Sequence, residues 1–289
     1  MTSRQEDLDF FSLFPESREE SPATTNGHRS RDDTTGYRFH DNVVEELGGP
    51  GARCSRLSRY FELSCDRQPA AVALECEGER ISYADLDQRA NRLANLLLSR
   101  DIRAGSRVGI LLNRSVDTYV ALLGVTKTEA TFVPIDPAAP ADRLLYIAED
   151  SALDLVVTRT EFAASTTALP CASLHLDEER PQLAMQPSTR PAVGTDGDPV
   201  CYIIYTSGSS GRPKGVAVGQ SSICNFIGIV PSLYGVESTD RVYQGMTIAF
   251  DFSIEEIWVP LVAGATLVPA PPSVSLVGPD LAEFLALIV

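Results

Sequence analysis

Lysine is almost missing from this chain of 289 residues: of its 24 Lys and Arg side chains only Lys127 and Lys214 are lysines, and the rest are arginines. Basic charge as a whole is short, 24 against 39 Asp and Glu, for a formal net charge of -15. A general nucleic-acid or anionic-membrane binder is thereby excluded, because those partners require a basic field. An anionic ligand has to be held by a local arrangement instead. No apolar run approaches the roughly 18 residues of a membrane span. The opening "MTSRQEDLDF" is acidic where a secretion signal is basic and then apolar, so a cytoplasmic chain is expected. Histidines number three, and the six cysteines lie far apart without C-x-x-C spacing, so no metal site is expected and the thiols read as reduced and mostly structural. What is present is a hydrophobic fraction of 44%, enough for a buried core over most of the length, as one large domain or two ordinary ones.

Residues 1–53 hold "ESREESPATTNGHRSRDDTTG" and "GGPGAR", polar and breaker-rich, and are expected to form a disordered extension ahead of a folded region over 54–289. The folded region opens with helical "RLSRYFELS" and two short strands in "AVALECEGERISY" around Glu77-Gly78-Glu79. In "SYADLDQRANRLANLLLSR", Ser82 and Asp85 form a capping-box pattern ahead of apolar residues three and four apart, which marks an amphipathic helix. Strand "RVGILL", helix "SVDTYVALLGVTK", strand "ATFVPI", helix "PADRLLYIAEDS" and strand "LDLVVT" follow. This alternation gives an α/β fold with parallel-rich sheets flanked by helices. Residues 159–198 read as an irregular surface excursion. Strands "PVCYIIYT" and "GVAV", helix "SSICNFIGIV", a helix within "FDFSIEEIWVPLVAG", strand "ATLVPA" and the amphipathic "DLAEFLALIV" complete the chain. Trp258 is expected in the core, and Tyr202 and Tyr205 in strand packing.

The stretch "YTSGSSGRPKG", residues 205–215, stands apart. After a buried strand, Thr206, Ser207, Gly208, Ser209, Ser210 and Gly211 offer backbone N–H groups and hydroxyls unblocked by bulk, and Lys214 adds a point charge. Such a series can wrap phosphate oxygens. It differs from the common P-loop, G-x-x-x-x-G-K-[ST], because Arg212 and Pro213 separate Gly211 from the lysine and Gly215 follows it. A plain Gly/Ser turn between strands is the competing reading. The scarcity of lysine weighs against it, since a lysine set between Pro and Gly in a polar loop looks chosen for a compact ammonium.

At this point the sequence resembles the adenylation domains of nonribosomal peptide synthetases, within the adenylate-forming superfamily that includes acyl-CoA synthetases and luciferases. "YTSGSSGRPKGV" is similar to the superfamily's phosphate-binding signature, "ISYADLD" to its first core motif, "ATFVPIDPAAPADRL" to the second and "FDFS" to the fourth, all in the right order. The resemblance runs from about residue 55 to the end. One departure is clear: where the family has "LKAGA" the chain reads "TKTEA", with Glu129 in place of glycine. If the position needs a positive φ, glutamate costs about 1 kcal/mol or more there.

The resemblance implies that a carboxylic acid is activated with ATP and Mg2+ to an acyl-adenylate plus pyrophosphate, after which the acyl group passes to a carrier-protein phosphopantetheine. It also implies that Thr206, Ser207, Gly208, Ser209, Ser210, Gly211 and Lys214 hold the phosphates, with Lys214 as the catalytic cation. The position matching Asp251 pairs with the α-ammonium of an amino-acid substrate, and those matching Phe252 and Glu255 line the side-chain pocket. On a helix Glu255 lies one turn beyond Asp251, with Cβ atoms roughly 5–6 Å apart, a spacing suited to a diamino acid such as lysine, ornithine or diaminobutyrate. The competing reading of these acids is helix capping: Ser253 and Glu256 form a capping-box pattern, and Glu256 is assigned to it. The family's later motifs and its C-terminal catalytic lysine would lie past Val289, and Lys127 belongs to the second motif and does not replace that lysine. An N-terminal fragment that does not adenylate alone is therefore expected. A non-catalytic orphan fragment and a fragment of an acyl-CoA synthetase stand as alternatives, the latter disfavoured by Asp251.

Overall fold

The computed structural model describes residues 54–194, 197–207, 212–271 and 279–288; the extension expected over residues 1–53 lies outside them. The described chain starts with helix α1 (Leu57–Arg67) and a hairpin of β1 (Val72–Cys76) and β2 (Glu79–Ser82). Ser82 then caps helix α2 (Tyr83–Ser99): its Oγ accepts from the Asp85 N–H at 3.1 Å and donates to the Asp85 carboxylate at 2.8 Å. One of the orphan N–H groups of the first turn is satisfied in this way.

Next come β3 (Arg107–Leu111), α3 (Val116–Lys127), β4 (Thr131–Ile135), α4 (Ala141–Asp150) and β5 (Leu155–Thr158), in the expected alternation. These strands are apolar nearly throughout because both of their faces are covered. Val108, Ile110, Phe132, Leu155 and Val157 face a core shared with α1, α2 and α3. Leu111, Val133, Ile135 and Val156 face a second core with Leu144 and Ile147 of α4. Helix α3 is buried all round except at Asp117, which pairs with Arg159 at 2.8 Å. Gly124 allows α2 to approach α3 closely, since a Cβ there would stand 2.9 Å from Leu93 Cδ2.

The segment expected to be irregular is more ordered than its composition suggests. It holds short helix α5 (Ala163–Thr166), strand β6 (Ala172–His175) and helix α6 (Arg180–Met185). β6 pairs in parallel with β5 from Leu155↔Ala172 to Thr158↔His175. As an edge strand it buries only Leu174, so "ASLH" carries no apolar run to mark it. Then follow β7 (Val200–Thr206), β8 (Lys214–Gly219), α7 (Gln220–Ile227), α8 (Val230–Tyr234), β9 (Arg241–Gln244), α9 (Phe252–Ala263), β10 (Thr266–Pro269) and α10 (Pro279–Ile288). The strand β9, with "RVYQ", is a second one that the sequence pattern does not reveal.

The strands form a six-stranded sheet in the order β6-β5-β3-β4-β7-β8 and a four-stranded sheet in the order β2-β1-β10-β9. Among the described residues every pairing is parallel except the hairpins β1–β2 and β7–β8. Trp258 is buried in the larger core, as expected. Tyr83, also buried, donates its hydroxyl to the Ala265 carbonyl at 2.7 Å, tying α2 to the segment between α9 and β10.

Candidate functional site

β7 is buried or half-buried as far as Tyr205 and then emerges, leaving Thr206 and Ser207 exposed. β8 returns antiparallel to it, with Tyr205 opposite Gly215 and Thr206 opposite Lys214. The hydroxyl at one end of the distinctive loop and the ammonium at the other are therefore cross-strand neighbours at the hairpin end. Gly208, Ser209, Ser210 and Gly211 lie outside the described residues. The absence of a side chain at Gly215 leaves room for Tyr205, whose Cζ would be 3.1 Å from a Cβ there. The Tyr205 hydroxyl donates to Asp150 at 2.7 Å. Its pKa is pushed up by burial first and by that hydrogen bond second.

Below the hairpin end is a cavity of about 450 Å³, lined by Asp136 and Arg143 from around the start of α4, by Thr206 and Ser207, and by the segment from Thr247 to Asp251. A second cavity of about 370 Å³ is lined by Tyr202, Val218, Phe226, Asp251, Phe252 and Glu255. Asp251 lines both. It precedes α9, and its Oδ1 accepts from the Phe252 N–H at 2.8 Å. Glu255 lies one turn further on, and its Oε2 accepts from the Tyr234 hydroxyl at 2.7 Å.

The segment that delivers Asp251 is anchored by Glu256, and here the sequence reading is corrected. Glu256 does not cap α9. Its carboxylate reaches back to accept from the backbone N–H of Met246 at 3.0 Å, from that of Gly245 at 3.3 Å and from Gln244 Nε2 at 3.0 Å. Gln244 is fully buried, and its Oε1 accepts from the Tyr119 hydroxyl at 2.9 Å. Ser253, the other half of the supposed capping box, donates to the Ile248 carbonyl at 3.1 Å. Together these bonds fix the turn ahead of Asp251 from three sides.

Tyr202 packs as a strand residue, its ring 5.4 Å from that of Phe132 on the paired strand β4. It also lines the smaller cavity. Its pKa is raised to about 12 by burial first, with smaller contributions that include the charges of Asp251 and Glu255. A strand residue read as packing alone is thus also part of a cavity wall; its place opposite Phe132 depends on a sheet register that the sequence does not display. Among the described residues no group of three or more His, Cys, Asp or Glu converges to hold a metal ion. Nor is any helix among them long and apolar enough to cross a membrane.

Residues 61–287 match the family model described as AMP-binding enzyme. The dimodular nonribosomal peptide synthase of Bacillus subtilis (strain 168) is 38% identical over 217 residues, covering 74% of this chain and 9% of its own length. Tyrocidine synthase 3 of Brevibacillus parabrevis is 35% identical over 215 residues, covering 74% of this chain and 3% of its own length. The chain thus spans a small fraction of these curated relatives. Among solved structures, the nonribosomal peptide synthetase FmoA3 in its alpha-methyl-L-serine-AMP bound form superposes with a TM-score of 0.73 at 26% identity, over 87% of this chain and 28% of that one. The N-terminal subdomain of Klebsiella oxytoca NpsA, in complex with 3-hydroxybenzoyl-AMSN, gives 0.69 at 26% identity over 81% and 57%.

Proposed function

Because the chain belongs to the AMP-binding enzyme family and has the fold of the N-terminal part of a nonribosomal peptide synthetase adenylation domain, we propose that its two adjoining cavities hold ATP and an amino acid for carboxylate activation. In this reaction a substrate carboxylate oxygen attacks the α-phosphorus of ATP, an acyl-adenylate forms, and pyrophosphate leaves. The observation that carries the proposal is Asp251, which lines both the cavity beneath Thr206 and Ser207 and the cavity that contains Phe252 and Glu255. An α-ammonium held there puts the carboxylate of the same amino acid between side-chain pocket and phosphates.

Thr206, Ser207 and Lys214 take the phosphate end of ATP, with Gly208 to Gly211 completing the loop in this reading. The protein does little covalent work. It orients the attack and neutralises charge that grows on the departing pyrophosphate, for which the compact, exposed ammonium of Lys214 is suited. Magnesium, which shares phosphate charge in such reactions, fits this site as a companion of the nucleotide, because the nearby protein groups are hydroxyls and single carboxylates with no ligand cluster among the described residues. Asp251 Oδ1 is occupied by the Phe252 N–H, which leaves Oδ2 for the α-ammonium. Glu255 gives the pocket a second carboxylate, supporting a diamino acid such as ornithine or lysine. Within a longer synthetase the acyl group would pass to a carrier-protein phosphopantetheine thiol.

Calorimetric titration of the chain with Mg·ATP and with ornithine tests this reading. Lys214→Ala is expected to weaken ATP binding at least about tenfold, the worth of a charge-assisted contact, and to leave ornithine binding unchanged; Asp251→Ala is expected to do the reverse. ATP affinity indifferent to Lys214 would refute the phosphate assignment. Binding of a simple carboxylic acid, untouched by Asp251→Ala, would favour an acyl-acid substrate instead.

A further inference from the structure

Helix α4 presents two polar groups one turn apart to the β7–β8 hairpin, and they grip its two stems separately. On the β7 side, Asp150 Oδ2 accepts from the Tyr205 hydroxyl at 2.7 Å. On the β8 side, the Tyr146 hydroxyl donates to the Pro213 carbonyl at 3.1 Å. The bracket is closed between them: the Tyr146 hydroxyl lies 3.5 Å from Asp150 Oδ1, and the two tyrosine rings meet edge to face at 6.4 Å. Each gripped residue is the immediate neighbour of a residue assigned to phosphate, Tyr205 of Thr206 and Pro213 of Lys214. Pro213 lies just outside the strand ladder, whose last pair is Thr206 and Lys214, so its carbonyl is oriented by Tyr146 rather than by a paired strand.

Asp150 is out of place on electrostatic grounds alone. A carboxylate so near a phosphate-binding loop repels the ligand, and its only described side-chain partners are the two tyrosine hydroxyls. Its use is as an acceptor. We propose that Tyr146 and Asp150 are positioning residues for the phosphate contacts of Thr206 and Lys214, setting the spacing of the two stems before nucleotide arrives. Rigid spacing lowers the ordering cost of binding. It does so only for ligands that engage both stems, so the bracket selects for a di- or triphosphate chain over a monophosphate. This inference rests on the ATP reading above.

The test compares Mg·ATP, Mg·pyrophosphate, AMP and ornithine as ligands of the whole chain. Tyr146→Phe removes one hydroxyl and keeps the ring. It is expected to weaken ATP and pyrophosphate about five- to tenfold, the equivalent of one intramolecular hydrogen bond, and to leave AMP and ornithine within about twofold of wild type. Asp150→Asn keeps an acceptor oxygen and sheds the repelling charge, so it is expected to hold the ratio of ATP to AMP affinity at or above wild type, whereas Asp150→Ala, which loses the acceptor for Tyr205 as well, is expected to fall below Asp150→Asn in that ratio. An unchanged ratio in Tyr146→Phe, or an equal loss for all four ligands, would overturn the positioning role. ATP binding by the wild type that does not depend on Lys214 would instead overturn the phosphate reading itself, and this inference with it.

Discussion

Replacing Lys127 by methionine is expected to be among the most damaging single changes to this fold, although the residue is remote from the hairpin lysine in its surroundings. Its side chain is 1% exposed, and its Nζ lies 2.7 Å from Glu62 Oε1 and 2.8 Å from Asp87 Oδ1. It also stands 5.8 Å from the centre of the Phe61 ring. Arg190 approaches the same two carboxylates at 3.8 and 3.1 Å, and Arg59 approaches Glu62 at 3.6 Å and Asp66 at 3.4 Å. With Asp66 included, three cations face three carboxylates, and Lys127 is the most deeply buried of the six. Methionine fills similar volume, so the cost is electrostatic: Glu62 and Asp87 lose the cation between them. Breaking a buried pair from one side costs about 3–5 kcal/mol. Because Arg190 still reaches both acids, the low end, about 3 kcal/mol, is expected, or a fall in Tm of roughly 6–12 °C at 2–4 °C per kcal/mol for a domain of this size. Urea unfolding followed by fluorescence of the single, buried Trp258 measures it, with an unchanged slope required for a two-state comparison. Lys127→Met with Asp87→Asn removes both halves of one pair and is expected to recover at least about 1 kcal/mol relative to the sum of the singles. A Lys127→Met protein within about 1 kcal/mol of wild type, or strict additivity in the double mutant, would refute this account.

Two further expectations concern backbone strain and thiols. Glu129 has a φ of 62° and is 3% exposed; its pKa is raised by burial, with the Arg56 guanidinium 2.5 Å away opposing the shift. Glu129→Gly relieves a left-handed conformation worth about 1–2 kcal/mol and gives back about 0.5–1 kcal/mol in chain entropy, together with the Arg56 pair. A net gain of about 0.5 kcal/mol near pH 7 is therefore expected from urea midpoints. A raised carboxyl pKa means that the folded state holds the proton more tightly than the unfolded state. The penalty on glutamate is thus present above the raised value and fades as the pH falls toward the ordinary 4.5. The advantage of glycine should shrink on acidification, and an advantage that grows would disprove the reasoning. Burial lifts the Cys54, Cys76 and Cys224 thiols to about 11, 12 and 12 respectively, and Cys171 is the one cysteine of the six that is not buried. Iodoacetamide at about pH 8, close to the ordinary thiol pKa, is expected to modify Cys171 first when read by peptide mass; earlier modification of Cys201 would count against the packing described.

How much of this was readable beforehand depended on where the signal resides. β3, β4 and β5 were legible because burial on both faces makes "RVGIL", "TFVPI" and "LVVT" apolar almost without interruption. The strands β6 and β9 were not, since each buries a single side chain, Leu174 or Gln244, and owes its place to a neighbouring strand. The family's glycine raised a positive φ at Glu129 only as a condition, and the backbone meets it at 62°. Glu256 was misread because S-x-x-E describes a capping box equally well, and its true partners, at Gln244 to Met246, are fixed by the path of the chain ahead of α9. The bracket under the hairpin was illegible for the same reason: Tyr146 is 67 residues from Pro213 and Asp150 is 55 from Tyr205. A motif names residues that meet the ligand, whereas the residues that steady the motif come from the tertiary fold.

The burial of Lys127 has a consequence for covalent chemistry. With one lysine sealed among acids and the other exposed at the head of β8, the folded chain offers acylating reagents a single accessible ε-amine, however many positive charges its arginines carry. Among the side-chain amines, acetyl transfer or an activated ester therefore falls on Lys214, where loss of the charge strikes the hairpin end directly. A chain so poor in lysine has concentrated its susceptibility to side-chain amine modification at the position proposed to meet phosphate.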